Sequence, residues 1–443
     1  MRVVGPNPDH AHVPLLHIPV IPQAPLLHIP VIPQAPLLHF PVIPQAPLLP
    51  ATISRMGANE VDPRTSLAYL VLERLRIESG PDPVYDSANF SVRYGDDDVL
   101  FLDNLFEETA GCDETELAAH VEHFVATTIA ANDDPGSWDA ALPRLRPILK
   151  PSTYTIGAPP SGLLVSRRIF PLVDELVAVD SPGRRTVVSW ETIAAWGVDP
   201  ATVFSAARSN LATITVHADP SKGRAVQRLV DSGSSYFTSW LLDPGWLASH
   251  RGRFGCAPVA FVPDVDTVFV VPSDDPGVLA HHFELVERQY THTARGLSPQ
   301  AYTVDDDGTV VTFDTLHPEN PGTERARCVH IAREYDAQSG WLRNQYDLDG
   351  VRSTVGTVSV KTTPFGPRTV TIWDQGIDSV LPRTDLVAFC GHASEPFYVQ
   401  FEDVARITGI APVFGLDPAR FHASSWPTPD IVEDLAAHSI RID

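Results

Sequence analysis

Residues 170–214 read FPLVDELVAVDSPGRRTVVSWETIAAWGVDPATVFSAARSNLATI and carry the clearest fold signal of the chain. Leu176 to Val179 is a short β-branched apolar run, which suits a buried strand. Ser181 to Arg184 contains Pro-Gly and indicates a turn, so Thr186 to Trp190 is predicted to be the returning strand of a hairpin. Asp199-Pro200 indicates a helix start, because Asp caps free N–H groups and proline fits the first helical position. The stretch therefore predicts strand, turn, strand and helix in succession.

The succession of PLVDELVAV and VVSWETIAAWGVDPATVFSAARSNL resembles the YtpQ-like family of bacterial proteins, domain-of-unknown-function family 1444. Three further stretches support the resemblance: LPRLRPILKP at 142–151, FSVRYGDDDVLFLDNLFEE at 90–108 and VAFVPDVDTVFVVPSDDP at 259–276. Together they cover roughly residues 66–302. The resemblance implies an α+β fold, and it implies no reaction, cofactor or site because the family has no assigned reaction.

Composition limits the function classes that the chain can belong to. The formal net charge of −23 argues against nucleic acid and anionic membrane surfaces, because both require a basic footprint. It fits a cytoplasmic protein, or one that meets a basic partner. The 4 cysteines form no CxxC or Cys/His motif, so neither zinc nor disulfides are expected. The sequence contains no run of about 18 apolar residues, so no membrane-spanning helix is predicted.

The N-terminal region contains an internal repeat. Residues 14–46 are three near-identical copies of PLLHIPVIPQA, and the prolines exclude helix and central strand. One interpretation is a proline-rich docking arm. The other is that residues 1–55 are disordered or spurious, with the biological chain starting near Met56. We expect the second.

The rest of the chain is predicted to be α+β in two units. Residues 56–302 form the YtpQ-like unit of mixed helices and antiparallel hairpins, in which 143–151 is a proline-punctuated connector. Residues 303–443 form a β-rich unit, with predicted strands that include Cys328 to Tyr335 and Trp341 to Tyr346.

One segment of the second unit is similar in sequence pattern to a segment of the first. Asp385 to Phe389, followed by Tyr398 to Ala405, is similar in pattern to Glu175 to Val179 followed by Val188 to Ala194. Duplication and the chance recurrence of a common local pattern both account for it.

The basic residues of this acidic chain concentrate in a few segments. Arginine forks bind carboxylate and phosphate well, so convergence of these segments would create an anion-binding site. Intramolecular pairing with the abundant Asp and Glu is the alternative. The candidate anion-binding residues are Arg144, Arg146, Lys150, Arg184 and Arg185, with Arg167 and Arg168 nearby.

Other polar clusters are weaker candidates. Histidines of one helix, His120 and His123, share a face but lack the HExxH spacing of a zinc site. His281, His282 and His292 are expected to be mainly solvent-exposed. The acids at 305–307 match part of a calcium loop but favour a hairpin turn. No catalytic, cofactor-binding or metal-binding residue is assigned.

Two functions remain open. The first is a non-catalytic acidic interaction module, an adaptor or an immunity-like protein that binds a partner with a basic surface. The second is an enzyme or binder of an anionic small molecule at an arginine-lined site between the units. A deep pocket where Arg144, Arg146 and Arg184 converge with a carboxylate of shifted pKa would favour the enzyme. A shallow acidic face with exposed aromatic residues would favour the interaction module.

Overall fold

The computed structural model describes most of the chain beyond residue 61. The ranges are 62–79, 83–87, 90–94, 98–109, 111–129, 136–157, 163–181, 184–231, 235–293, 295–392 and 395–442. The predicted repeats at 14–46 and the central residues of the predicted turn at 181–184 lie outside the described residues. Asp62–Asp443 forms one compact unit by its internal contacts.

The described helices and strands alternate irregularly along the chain, as expected for the α+β class. The helices are α1 Pro63–Ser79, α2 Asp103–Glu108, α3 Glu114–Ile129, α4 Trp138–Ala141, α5 Trp190–Trp196, α6 Pro200–Ala212, α7 Trp246–Phe254, α8 Pro276–His292, α9 Phe313–Leu316, α10 Pro321–Asp349, α11 Phe401–Thr408 and α12 Pro429–Ala437. The strands are β1 Val84–Asp86, β2 Ser91–Tyr94, β3 Asp98–Phe101, β4 Leu145–Pro151, β5 Ser166–Phe170, β6 Val173–Ser181, β7 Arg184–Val187, β8 Gln227–Val230, β9 Pro258–Asp264, β10 Thr267–Pro272, β11 Gly296–Val304, β12 Val310–Thr312, β13 Thr354–Val355, β14 Ser359–Thr363, β15 Gly366–Asp374, β16 Ser379–Pro382, β17 Leu386–Cys390, β18 Phe397–Gln400 and β19 Arg420–Ala423. None of the described helices is long and apolar enough to cross a membrane.

The N-terminal part packs α1 and α3 with the small sheet β1-β2-β3 around a core of its own. A capping box fixes the start of α3. Asp113 accepts a hydrogen bond from the Glu116 N–H at 2.9 Å, and the Glu116 carboxylate accepts one from the Asp113 N–H at 3.2 Å. These reciprocal bonds satisfy N–H groups that the first turn leaves free.

The first large sheet has the order β4-β6-β5, with β7 also paired to β6. Strand β4 corrects one prediction, because residues 145–151 of the expected connector pair antiparallel with β6 from Leu145–Val179 to Pro151–Val173. Pro147 and Pro151 are tolerated because β4 is an edge strand, where a missing N–H breaks no ladder.

Two helices cover the outer face of this sheet. The predicted cap of α6 is confirmed, since Asp199 accepts from the Thr202 N–H at 3.0 Å and Pro200 is the first helical residue. The predicted strand to Trp190 is wrong at its end. Ser189 caps a short helix, α5, by accepting from the Thr192 N–H at 3.1 Å, so Trp190 begins a helix.

The second large sheet has the order β12-β11-β9-β10-β8 and faces the first across the main hydrophobic core. Its opposite face packs against α8 and α10. Every residue of β9, β10 and β11 is buried, which explains why the centres of β9 and β10 are continuous apolar runs rather than alternating patterns. Helix, sheet, sheet and helix therefore form four successive layers.

The largest error in the predicted secondary structure concerns helix α10. Cys328 to Tyr335 and Trp341 to Tyr346 were expected to be strands, but both lie in this 29-residue helix. Its buried face carries polar residues such as His330 and Glu334, which hides the apolar period that identifies an amphipathic helix. The predicted boundary between residues 302 and 303 also falls inside β11, which α10 contacts.

The C-terminal part contains the sheets β13-β16-β19 and β14-β15-β17-β18. Its hairpin and helix, β17, β18 and α11, repeat β6, β7 and α5 with the same pairing: Ala388 lies opposite Tyr398, as Ala178 lies opposite Val187. The surroundings differ, because β17 pairs parallel with β15 whereas β6 pairs antiparallel with β4.

Candidate functional site

A cavity of about 190 Å³ lies where the two large sheets meet. Strands β4 and β7 of the first sheet form one wall. The turn between β9 and β10 and the residue that precedes β11 form the opposite wall, and the segment after β8 closes one end. The charged and phenolic side chains that line the cavity are Lys150, Tyr154, Arg185, Asp231, Tyr236, Asp266 and Arg295.

Lys150 is the most unusual of these residues. Its ammonium group is half-buried, and it forms no ion pair or hydrogen bond with the residues that the structure describes. Its Nζ lies 4.6 Å from the centroid of the Tyr154 ring. Burial, followed by the positive charges of Arg295 and Arg185, lowers the pKa of Lys150 from 10.5 to about 8. The side chain is therefore a cation whose donors face the cavity.

Arg185 is held at the exposed side of the cavity by Tyr236. Its Nε donates to the Tyr236 hydroxyl at 2.8 Å, and its guanidinium carbon lies 4.0 Å from the Tyr236 ring centroid. The Tyr236 N–H in turn donates to Asp231 Oδ2 at 2.7 Å. Burial raises the pKa of the Tyr236 hydroxyl, so this group remains a neutral phenol at physiological pH. The guanidinium is thus held against both the hydroxyl and the ring of Tyr236.

Arg295 and Asp266 form the charged pair of the opposite wall, with 2.9 Å between Nη1 and Oδ2. Burial raises the pKa of Asp266, while Arg295 opposes that effect. The same cavity therefore contains an amine with a lowered pKa and a carboxyl group with a raised pKa. Environments that move an acid and a base toward neutrality are typical of functional sites.

The predicted basic group converges only in part. Lys150 and Arg185 line the cavity, but Arg144 and Arg146 do not. Arg144 donates to the Asp180 carbonyl at 2.9 Å and also to the Ser181 hydroxyl. Arg146 donates to the carbonyls of Pro143 and Leu145 at 3.1 and 2.8 Å. The Arg184 side chain lies outside the described residues.

Arg167 and Arg168 form ion pairs within the protein, which was the alternative to anion binding. Arg167 Nε donates to Glu175 at 2.7 Å, and Arg208 holds the same carboxylate at 2.6 Å. Arg168 donates to Asp174 at 2.6 Å. The two acids of PLVDELVAV therefore serve the packing of β5, β6 and α6.

Sequence reasoning missed Arg295 and Asp266. Arg295 follows α8 and Asp266 lies in a hairpin turn, both far along the chain from Lys150. No local pattern marks either residue, because they reach the site only through the packing of one sheet on the other.

A larger cavity of about 710 Å³ lies between α10 and the sheet β14-β15-β17-β18. Its arginines are matched by carboxylates, so it offers less unpaired charge than the Lys150 cavity. The pairs are Arg327–Asp385 at 2.9 Å, Arg383–Glu402 at 2.9 Å, and Arg368–Glu324.

The other candidate clusters do not assemble. His120 and His123 are exposed on α3, whereas His282 is buried and its Nδ1 lies 2.8 Å from the Val278 carbonyl. The acids at 305–307 lie in the turn that joins β11 and β12, as predicted. Within the described ranges, no group of three His, Cys, Asp or Glu is arranged to hold a metal ion.

Fold and cavity define an α+β protein with a charged site between two antiparallel sheets. Comparison with family models, with curated proteins and with solved structures found no match to this chain. The resemblance to the YtpQ-like family therefore stays a prediction from the sequence motifs.

Proposed function

We propose that the protein binds a small anionic molecule, a carboxylate or a phosphate, in the cavity at Lys150. The observation that carries this proposal is the meeting of Lys150, Arg185 and Arg295 in one cavity of a chain whose net charge is −23. In such a chain, acidic partners are plentiful, yet Lys150 has none among the described residues. An anion would supply the missing partner.

The size of the cavity limits the ligand. About 190 Å³ is below the roughly 300 Å³ at which pockets for drug-sized ligands begin. Two carboxylates, Asp231 and Asp266, also lie at the site and partly offset its three cations. A compact monoanion or dianion therefore fits better than a nucleotide or a polyanion.

Anion titration followed by calorimetry tests the proposal, with pyruvate, succinate and inorganic phosphate as probes. Lys150→Met removes the unpaired cation without adding a polar group, so we expect the affinity for the best probe to fall at least ~10-fold, or ~1.4 kcal/mol. Arg146→Gln is the matched control, because Arg146 belongs to the same basic segment but bonds only neighbouring carbonyls. Equal affinity in the Lys150→Met variant would refute the proposal.

A second candidate function, an acidic interaction module of the cytoplasm, is favoured by a surface patch at the end of α10. Leu348 is 80% exposed, and Val351 and Ile377 are 44% and 41% exposed. A hydrogen bond from the Thr354 N–H to the Asp378 carbonyl, 2.8 Å long, joins their two segments. The flanking acids are Asp347, Asp349 and Asp378. An apolar patch with an acidic rim fits a partner with a basic, partly apolar surface.

Affinity capture from native lysate at low and high salt tests this second function. We expect a basic partner that binds at low salt, is released at high salt, and is lost with Leu348→Asp. Val216→Asp is the control, because Val216 is 68% exposed on another segment. Capture that is identical for both variants would exclude the patch as the binding surface.

A further inference from the structure

We propose that Lys150 captures its ligand covalently, as an imine with a small carboxylate that also carries a ketone or aldehyde group, such as a 2-oxo acid. This inference rests on the proposed anion binding at the same cavity. It names the substrate class by combining the two chemistries that the cavity walls present: guanidinium groups for a carboxylate, and an amine for a carbonyl.

The choice of residue at position 150 is the first argument. The chain contains 32 lysines and arginines, and the sequence shows lysine only at positions 150, 222 and 361. A guanidinium serves anion binding at least as well as an ammonium, because its fork matches a carboxylate. Of these two side chains, lysine is the one whose amine forms an imine with a carbonyl carbon. The rare lysine of this chain therefore lies where covalent chemistry is possible.

The surroundings of Lys150 keep its amine available. A lysine paired with a carboxylate is held as the ammonium ion, but Lys150 has no such partner among the described residues and faces Arg185 and Arg295 across the cavity. These charges and burial lower its pKa to about 8, so about a tenth of the molecules carry the neutral amine at pH 7. Lys361, by contrast, is exposed and donates to the Tyr398 hydroxyl at 3.1 Å.

The remaining groups account for the atoms and protons of imine formation. The Nζ lone pair forms a bond to the carbonyl carbon, the π pair of the C=O bond moves to oxygen, and one of the two amine protons passes to that oxygen, which gives a carbinolamine. Loss of the hydroxyl as water, with loss of the second proton from nitrogen, then gives the C=N bond. Asp266, whose pKa is raised by burial, lies in the same cavity and can carry the proton to the departing oxygen. No oxidant or reductant takes part.

Reductive trapping of the full chain with pyruvate and cyanoborohydride tests the proposal, followed by peptide mapping of the reduced adduct. We expect a stoichiometric adduct on Lys150, formed at least tenfold faster than on Lys222 or Lys361, the internal controls. The rate should rise as pH increases through about 8, because the neutral amine is the nucleophile. Equal labelling of the three lysines would overturn the proposal.

Two variants separate this proposal from anion binding itself. Lys150→Arg keeps the positive charge but cannot form an imine, so it should bind pyruvate and give no adduct at position 150. Asp266→Asn, compared with the wild type at saturating pyruvate, should slow trapping. If the wild type binds pyruvate without forming an adduct, the imine is refuted and anion binding stands. If it binds none of pyruvate, succinate and phosphate, both proposals fail; if it binds only succinate or phosphate, the imine alone is refuted.

Discussion

Arg420 is fully buried, yet its guanidinium meets no carboxylate among the described residues. Its donors instead reach Gln338, Ser339 and the backbone carbonyls of Tyr335, Gly356 and Val380. Burial lowers its pKa to about 10, which still leaves the side chain charged at neutral pH. A buried charge is tolerated when each of its donors finds an acceptor. This arginine thereby ties α10 to β16 and β19.

The buried side chain of His330, which lies on α10, should make the free energy of unfolding depend on pH. It is fully buried against Tyr290, and burial lowers its pKa to about 3. In the unfolded chain its pKa is near 6.5, so between these values only the unfolded chain takes up the proton. The contribution of His330 to stability is therefore lost as pH falls below about 6.5, by up to ~1.4 kcal/mol per pH unit.

We expect His330→Leu to flatten the fall of the free energy of unfolding between pH 6.5 and 4.5, measured by urea denaturation. His120→Leu is the control, because His120 is exposed on α3. Parallel pH profiles for wild type and His330→Leu would show that the buried imidazole does not govern acid sensitivity.

At the scale of elements, the two hairpin–helix units end in the same way. Gly197 closes α5 at φ 67°, and Gly409 closes α11 at φ 69°. Both glycines occupy the left-handed region, in which a Cβ is strained. The two hairpin–helix units are therefore similar both in their strand pairing and in the glycine that ends the helix.

These glycines give a prediction with an internal control. Gly197→Ala and Gly409→Ala should each lower the free energy of unfolding by about 1 kcal/mol, because alanine is strained at positive φ. Gly340→Ala should raise it by about 0.5–1 kcal/mol, since Gly340 is exposed inside α10 with open space at its Cβ. Urea denaturation measures all three, and destabilisation by Gly340→Ala would contradict this account.

At the scale of the whole molecule, the regions before and after residue 302 share structural elements. Strand β11 crosses that position, and α10 packs on both β11 and β15. Buried Glu334 of α10 accepts hydrogen bonds from the Ser152 hydroxyl at 2.9 Å and the Thr153 N–H at 3.1 Å. Arg168 reaches Asp417 at 2.6 Å. The layers on either side of β11 are therefore joined by polar contacts as well as by the core.

Local signals were sufficient wherever one segment specifies itself. The buried strand at Leu176 to Val179 and the cap of α6 follow from short patterns, because strand propensity and capping depend on neighbouring residues. They failed for α10, whose buried polar residues obscure its period. They also failed for β4, where prolines suggest a connector unless the strand is known to be at a sheet edge.

The sequence by itself determined the α+β class, the buried strand at Leu176 to Val179 with the start of α6, and the presence of a basic group that includes Lys150 and Arg185. Only the tertiary structure decided which basic residues line the cavity. It placed Arg295 and Asp266 opposite Lys150 and left Arg144 and Arg146 bonded to nearby backbone and hydroxyl groups. The physical reason is that capping and turns are short-range interactions, whereas the charge and desolvation at a cavity depend on how distant segments pack.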